Sequence, residues 1–341
     1  MEKIKLTDIC NPKQWKTIPT SELLENVYPV YGSNGIIWYY IEFNHKNPVI
    51  TVTCRGATCG TINITVPKSY VTGNAMCLDD MRSDIYMEYL YYCLKHYNFN
   101  NVISGSAQPQ ITRQGMEKIY VTIGSHNEQM DIVDKLKKVE NVIGLRKREL
   151  KQLDTLVKSR FAEMFGDPIR NPKGWKVVTI GDIVTEVRYG TSKPAVEGGK
   201  YPYLRMNNLT ADGHLDLNDL KYIDISDDEV EKCVVRKGDV LFNRTNSIDL
   251  VGKTAVFDLP DDMVIAGYII RVRLNEKILP EVLSQYMNLE ALKDILRSMA
   301  KGAVNQANIN AQELQSIRIY VPDIELQKQF VEMKDQVDKS K

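Results

Sequence analysis

Apolar residues recur at alternating steps of three and four between Ser125 and Gly166, in a stretch without an internal proline, and Arg146 and Arg160 occupy two positions of this pattern. Such spacing is typical of a heptad seam on a long helix. A Ser125…Glu128 pair fits an N-terminal capping box, and Gly166-Asp167-Pro168 provides a stop signal. The pattern predicts a helix of roughly 40 residues, about 60 Å long. The predicted seam consists of Ile132, Leu136, Val139, Ile143, Leu150, Leu153, Val157 and Met164.

A seam of this length needs a partner helix, and a second amphipathic stretch begins near Asp323. It repeats apolar residues at Leu326, Phe330, Met333 and Val337 and is less than half as long as the first helix. We therefore expect either a shortened form of the protein or another subunit that covers the rest of the seam. The charged flanks of the first helix favour packing along one stripe, and an ordinary long helix lying on a core is the alternative.

The chain also carries an internal repeat. The segment from Ile4 to Ile9 (IKLTDI) resembles the segment from Val178 to Ile183 (VTIGDI), and each opens a region that reads as short strands and turns, then a helix, then a polar loop. Aligning Ile111 with Ile309 brings together further pairs without a gap. These pairs are Gln108 with Gln306, Gln114 with Gln312, Ile119 with Ile317, Gln129 with Gln327 and Val133 with Val331.

The repeat predicts the order domain, helix, domain, helix. We place the first domain at residues 1–124, the long helix at 125–166, the second domain at 167–321 and the short helix at 322–341. The predicted fold class is α+β, with two similar mixed α/β domains joined by long antiparallel coiled-coil-like helices. The helix residues expected at subunit interfaces are Ile132, Leu136, Val139, Ile143, Leu150, Leu153, Val157, Leu326 and Phe330.

Polar turns in the first domain are candidates for binding DNA. A tight turn follows Tyr31, and two β-like runs flank the segment Arg55-Gly56-Ala57-Thr58-Cys59-Gly60. Arginine can read guanine in the major groove and amide side chains can read adenine, although a purely structural hairpin would have the same sequence. The candidates are Tyr31, Ser33, Asn34, Arg55, Thr58, Gln108 and Gln110.

The second domain offers a parallel set of turns. Turn chemistry alone enriches Asn and Ser, so the interpretation depends on the recurrence of the pattern in both halves. The candidates are Tyr189, Thr191, Ser192, Lys193, Arg205, Asn207, Asn208, Asn243, Arg244, Thr245, Asn246, Lys253, Asn305, Gln306 and Asn308.

Composition indicates a two-domain globular protein, with 43% hydrophobic and 26% charged residues among 341. The 44 basic and 44 acidic residues balance, so any nucleic-acid binding must depend on local clusters of charge. The six cysteines show neither a zinc-binding spacing nor a disulfide framework, and we expect no metal site. Without a signal peptide or membrane span, the sequence predicts a cytoplasmic protein.

The chain resembles the specificity subunits of type I restriction-modification enzymes. The matching features are the YPVYGSNGI turn, the CRGATCG hairpin, the KGDVLFNRT strand, and the GSAQPQI and KGAVNQANI loops that lead through a strand into a helix. The resemblance implies two target-recognition domains, each reading one half of a bipartite, asymmetric DNA sequence. It also implies that antiparallel helices fix the gap between the half-sites.

The same resemblance implies that catalysis belongs to partner subunits. These would be methyltransferase subunits that use S-adenosylmethionine and restriction subunits that use ATP and Mg²⁺, while this chain binds no cofactor. The sequence agrees, since it lacks an Asn-Pro-Pro-aromatic methyltransferase motif, and Ser247 stands where a phosphate loop ending at Lys253-Thr254 needs glycine. The alternatives are a stand-alone DNA-modifying enzyme and a coiled-coil scaffold that binds only proteins.

Overall fold

A computed structural model describes residues 1–105, 108–303 and 306–341 of the chain. The chain divides into two compact units, Met1–Leu145 and Arg146–Lys341. A continuous helix, His126–Phe165, crosses this division. The predicted long helix is therefore confirmed to within one residue at each end.

The first unit combines short strands with a few helices that cover them. Its strands are β1 (Glu2–Lys5), β2 (Asn11–Gln14), β3 (Tyr28–Gly32), β4 (Gly35–Tyr40), β5 (Ile50–Thr53), β6 (Ile62–Ile64), β7 (Tyr70–Val71), β8 (Ala75–Asp79), β9 (Ile103–Ser104), β10 (Gln110–Ile111) and β11 (Tyr120–Ile123). Its helices are α1 (Leu6–Ile9), α2 (Met87–His96), α3 (Arg113–Met116) and the first part of α4 (His126–Phe165).

The second unit repeats this plan with additions. Its strands are β12 (Lys176–Thr179), β13 (Val184–Tyr189), β14 (Tyr201–Leu204), β15 (Lys221–Ile223), β16 (Val234–Val235), β17 (Val240–Asn243), β18 (Thr245–Asn246), β19 (Thr254–Val256), β20 (Met263–Ile265), β21 (Ile269–Leu274), β22 (Lys301–Ala303), β23 (Gln306–Asn308) and β24 (Arg318–Val321). Its helices are α5 (Asp227–Cys233), α6 (Pro280–Met287), α7 (Glu290–Met299), α8 (Ala311–Ser316) and α9 (Ile324–Ser340), together with the end of α4.

The two units share one sheet topology. The antiparallel sheet β2-β8-β5-β6 of the first unit corresponds to β13-β21-β17-β19 of the second. The sheet β4-β3-β7, with one antiparallel and one parallel pair, corresponds to β15-β14-β20, which β16 extends. The pair β1-β11 corresponds to β12-β24. The predicted α+β class and the duplication are confirmed.

Equivalent backbone hydrogen bonds confirm the alignment of the repeats. The Ile111 amide donates to the Cys54 carbonyl at 3.0 Å, and the Ile309 amide donates to the Arg244 carbonyl at 2.9 Å. Likewise, the Leu6 amide donates to Ile119 and the Ile180 amide to Ile317, each at 2.9 Å. The residues aligned from sequence therefore occupy equivalent positions in the two folds.

Helix α9 runs antiparallel to the last part of α4 within the second unit. Phe330 packs edge-on against Phe161 and Phe165, with ring centroids 5.3 and 5.4 Å apart. Directly after the end of α9, the Lys341 ammonium lies 2.8 Å from the Asp154 carboxylate. Because later residues of α9 contact earlier residues of α4, the predicted antiparallel pairing is confirmed over this stretch.

The structure corrects part of the predicted subunit interface. Val157 and Phe330 are buried in the core of the second unit, which Leu153 and Leu326 also join. Ile132 packs against the core of the first unit. A heptad pattern shows which face is covered, but it does not show whether the cover comes from the same chain. The seam residues that remain exposed are Leu136, Val139, Ile143 and Leu150.

Across the described ranges, no helix combines the length and the apolar character needed to cross a membrane. Helix α4 is long enough, but it is rich in charged residues on most of its circumference.

Candidate nucleic-acid interface

A polar cleft in the first unit brings several predicted residues together. Ser33, Arg55, Gln108 and Gln110 line it, with Gly56 and Asn74, around a volume of about 320 Å³. Arg55, Gln108 and Gln110 are exposed, whereas Ser33 is half-buried. The cleft therefore offers one guanidinium, three amides and a hydroxyl to a ligand, which are the groups that read base edges.

Backbone pairing positions the arginine beside the amides. Arg55 and Gln110 form an antiparallel bridge, and the Gly56 amide donates to the Pro109 carbonyl at 3.0 Å. Gly56 has φ +90°, a conformation that favours glycine and that turns the chain immediately after Arg55. The hairpin predicted from sequence therefore does carry Arg55 at a turn.

The turn after β3 also lines this cleft, through Ser33. The Ser33 carbonyl accepts hydrogen bonds from the Thr53 hydroxyl at 2.6 Å and the Thr58 hydroxyl at 2.9 Å. Thr58 thus supports the turn through a hydrogen bond to Ser33. Asn34, the residue after Ser33, is exposed.

The second unit places an arginine in a different setting. Arg244 donates from Nη2 to Asn308 Oδ1 at 3.0 Å, and its guanidinium lies 4.9 Å from the centroid of the Tyr189 ring. Asn308 in turn donates to the Thr245 hydroxyl at 2.7 Å. Stacking and hydrogen bonding hold Arg244 in one orientation, so it is more constrained than Arg55. Gln306 lies exposed on the neighbouring strand β23.

A second surface loop of this unit contains the short 3-10 turn Met206–Asn208. Asn207 is exposed, whereas Asn208 is buried and accepts a hydrogen bond from the Arg205 amide at 2.8 Å. The Arg205 guanidinium lies 2.7 Å from the Asp219 carboxylate. Lys221 and Arg205 both lower the pKa of Asp219, so this carboxylate stays charged and fixes Arg205.

The loop after β13 exposes Ser192 and Lys193. The Lys193 ammonium lies 2.5 Å from the Glu229 carboxylate, which also accepts a hydrogen bond from the Thr191 hydroxyl at 2.7 Å. Lys193, and next Thr191, lower the pKa of Glu229. Since this ion pair is exposed, an incoming phosphate can compete for Lys193.

Burial argues against direct DNA contact for several predicted residues. Their polar groups are used inside the fold, as for Tyr31, whose hydroxyl accepts a hydrogen bond from the Val66 amide at 3.1 Å. Asn246 is half-buried, and its side-chain oxygen accepts from the Ser247 amide. Asn305 lies outside the described residues. The buried candidates are Tyr31, Thr191, Asn208, Asn243, Thr245 and Lys253.

Two residues that sequence analysis did not select lie at equivalent places beside the arginines. The Asn74 carbonyl accepts from the Cys54 amide, and the Tyr268 carbonyl accepts from the Arg244 amide, at 3.0 and 2.9 Å. Asn74 lines the first cleft, and the Tyr268 side chain is half exposed. Each precedes a strand directly after a glycine, and this Gly-Asn or Gly-Tyr turn is the signal that could have identified them.

Within the described ranges, His45, Cys77 and Asp79 bring possible metal ligands within 4.8 Å of one another. The His45 ring already contacts Asn44 Oδ1 at 2.7 Å and Asp79 Oδ1 at 2.9 Å. Burial raises the pKa of the Cys77 thiol, which keeps it protonated. We interpret this cluster as a structural polar network, comparable to the Arg273–Asp239 ion pair beside the corresponding sheet.

Fold and cleft together define a protein built from two similar units, in which equivalent loops present different polar groups. Comparison with known sequences shows the family: the chain belongs to the family described as "Type I restriction modification DNA specificity domain", which matches residues 1–155 and 172–341. The family resemblance inferred from sequence is confirmed.

Curated relatives share about a quarter to a third of aligned residues. The EcoKI specificity subunit of a type I restriction enzyme from Escherichia coli K12 is 23% identical over 273 residues, covering 74% of this chain and 59% of that protein. The MjaX specificity subunit from Methanocaldococcus jannaschii is 31% identical over 171 residues, covering 49% of this chain and 40% of that protein. The matches thus span about half the length of these relatives.

Solved structures support the same fold. A type I restriction-modification S subunit from M. genitalium matches with a TM-score of 0.60 at 14% identity, covering 99% of this chain and 89% of that chain. A chain from a study of complex assembly and conformational transition in a type I system matches with a TM-score of 0.57 at 20% identity, covering 99% and 90%.

Proposed function

We propose that this chain is the DNA-recognition subunit of a type I restriction-modification complex. Each unit reads one part of a bipartite, asymmetric sequence in double-stranded DNA. The observation that carries this proposal is the recurrence of one topology with polar loops at equivalent positions and different side chains on those loops. Two copies of one scaffold with different surface chemistry suit the recognition of two different half-sites.

The exposed groups divide into base readers and phosphate contacts. In the first unit, Arg55 and the amides of Gln108 and Gln110 can hydrogen-bond to base edges. In the second unit, the exposed amides of Asn207 and Gln306 take this part. Lys193 is suited to a phosphate, because its ammonium is an exposed point charge on a flexible side chain.

The partners in this proposal are the methyltransferase and restriction subunits of the same system. Relatives of the chain are named as specificity subunits, and one matching structure comes from a study of complex assembly. S-adenosylmethionine, ATP and Mg²⁺ are bound by those partners, and this chain is not catalytic. The complex works in the cytoplasm. We further propose that the exposed seam of α4, formed by Leu136, Val139, Ile143 and Leu150, is covered by another polypeptide in the complex.

The test is selection of bound sequences from randomised duplex DNA by the complex of this chain with its methyltransferase subunit. We expect one split sequence with a spacer of fixed length. Arg55→Ala should relax one base position in one half by about 1–3 kcal/mol, whereas Lys193→Ala should weaken binding to all sequences alike and reduce its salt dependence. Binding without preference in either half would refute the proposal, and methyl transfer by this chain alone would favour the enzyme alternative.

A further inference from the structure

The turn after β3 and the turn after β14 occupy equivalent positions in the two units. Strand β3 pairs in parallel with β7 through Tyr31 and Val71, and β14 pairs in parallel with β20 through Leu204 and Ile265. Counting forward from these pairs places Ser33 opposite Met206 and Asn34 opposite Asn207 in the alignment of the folds. Sequence comparison does not show this match, since the turns share only the asparagine.

In the first unit, two hydroxyls hold the carbonyl that precedes the exposed asparagine. Thr53 ends strand β5 and is buried, and Thr58 lies in the following hairpin loop. Their donations to the Ser33 carbonyl, at 2.6 and 2.9 Å, fix the peptide from which Asn34 projects. Gly35, with φ +86°, closes the turn on the other side of Asn34.

In the second unit, a lysine and an amide hold the equivalent carbonyl. Lys253 is 8% exposed, and its ammonium donates to the Met206 carbonyl at 2.8 Å and also to the Leu209 carbonyl. Asn243, which ends strand β17 as Thr53 ends β5, directs its amide towards the same Met206 carbonyl at 3.5 Å. The turn that displays Asn207 is thereby held by hydrogen bonds to the carbonyls of Met206, before Asn207, and of Leu209, after it.

The hairpins that supply these donors are also equivalent. The Thr53 amide donates to Thr61, as the Asn243 amide donates to Lys253, both at 2.8 Å. Burying an ammonium costs free energy, and desolvation lowers the pKa of Lys253. An apolar side chain would pack such a site without this cost, so the ammonium is better explained by the two carbonyls that it orients.

We propose that Asn34 and Asn207 are equivalent specificity-determining residues, one in each half. Thr53 and Thr58 are the positioning residues of Asn34, and Asn243 and Lys253 are those of Asn207. This inference rests on the proposed function and assigns to the buried Lys253 an indirect part in recognition. The side-chain amide of each asparagine can donate one hydrogen bond and accept another at one base edge. Such paired hydrogen bonds require that the backbone of the asparagine is held in a fixed position.

The experiment uses the full chain in complex with its methyltransferase subunit and the randomised duplex DNA described above. Asn207→Ala should reduce the preference at one base position in one half by about ten-fold. Lys253→Met, which keeps the length of the side chain, should reduce the preference at that same position and leave the other half unchanged. The double variant should lose no more of this base preference than Asn207→Ala alone, because both changes remove the same interaction between Asn207 and the base.

Variants of one unit serve as the control for variants of the other unit, because each unit should affect only its own half of the DNA sequence. Thr53→Val combined with Thr58→Val removes both hydroxyls at nearly constant side-chain volume. This double variant should reduce the preference only at the base position that Asn34→Ala affects, which lies in the half-site that the second unit does not read. Lys237→Met removes an exposed lysine of the second unit and should leave the selected sequence unchanged. If Lys253→Met prevents assembly, the threonine pair decides the question alone.

Different outcomes refute the proposed function and the inference about the positioning residues. A wild-type complex that selects no split sequence refutes the proposed function itself. A wild-type complex that selects one, with positioning variants that leave it unchanged or weaken all positions equally, refutes the inference and leaves the proposed function intact.

Discussion

Replacing the buried Gln327 by leucine tests whether the glutamine that recurs in both repeats, as Gln129 and Gln327, stabilises the fold. Gln327 is fully buried at the start of α9. Its side-chain oxygen accepts from the Leu279 amide at 2.8 Å, and its nitrogen donates to the Lys277 and Pro322 carbonyls at 3.0 and 2.8 Å. One side chain thus joins the start of α6, the loop before it and the end of β24.

The expected cost follows from these three hydrogen bonds. A neutral hydrogen bond contributes about 1 kcal/mol net, so their loss removes about 3 kcal/mol of stability. Leucine has a similar volume, which limits the cavity term. The amide and two carbonyls left without partners add to the loss, so about 3 kcal/mol is a lower bound, equivalent to a roughly 150-fold increase in local opening.

Hydrogen exchange measured by mass spectrometry is the suitable assay, because a chain with two units need not unfold in one transition. Gln327→Leu should accelerate exchange in Pro280–Met287. Gln129→Leu should do so in Met87–His96, since Gln129 accepts from the Tyr86 amide at 2.7 Å and donates to two carbonyls in the same way. Gln336→Leu, at an exposed position of α9, is the matched control. Equal acceleration in both units, or none, would refute the reasoning.

Three further predictions concern charge, packing and length. Burial lowers the pKa of Lys293 to about 8 from 10.5; since the unfolded state then binds more protons between these values, stability should rise as the pH increases from about 8 to about 10, and Lys293→Met should abolish this rise in urea unfolding curves. Phe330→Ala should cost about 3–5 kcal/mol, whereas Ile143→Ala, at a half-exposed seam position, should cost less than about 1 kcal/mol in the isolated chain. On the proposed function, inserting seven residues after Ile143 lengthens the helix by about 10 Å and should lengthen the DNA spacer by roughly three base pairs, with both half-sites unchanged in the sequences selected.

Sequence patterns predicted the elements whose physical cause is local. The boundaries of α4 followed from a capping pair that the structure confirms, since the Ser125 amide donates to Glu128 at 2.7 Å. The alignment of Gln129 with Gln327 was also informative, because a buried amide with three partners tolerates few replacements. Helix periodicity and fixed hydrogen-bond geometry restrict the residue types at particular positions, so both can be recognised in the sequence.

The accessibility of polar residues could not be predicted in the same way. Asn243 and Lys253 lie in segments with the composition of surface turns, yet both are buried beneath another turn. A turn residue that bonds to a neighbouring backbone and one that faces solvent belong to the same residue types, so composition does not separate them. The difference depends on which distant segment lies above each residue, and only the tertiary structure supplies that.

The comparison of the two units shows where change can be accommodated. Backbone bonds at Ile111 and Ile309, and the buried amides of Gln129 and Gln327, are the same in both units. The side chains around the polar loops differ in charge and size, as Thr61 and Lys253 illustrate at one equivalent position. Because the scaffold is held by main-chain hydrogen bonds and a few buried amides, the loop side chains are free to change without loss of the fold. On the proposed function, one duplicated architecture can therefore recognise two half-sites of unrelated sequence.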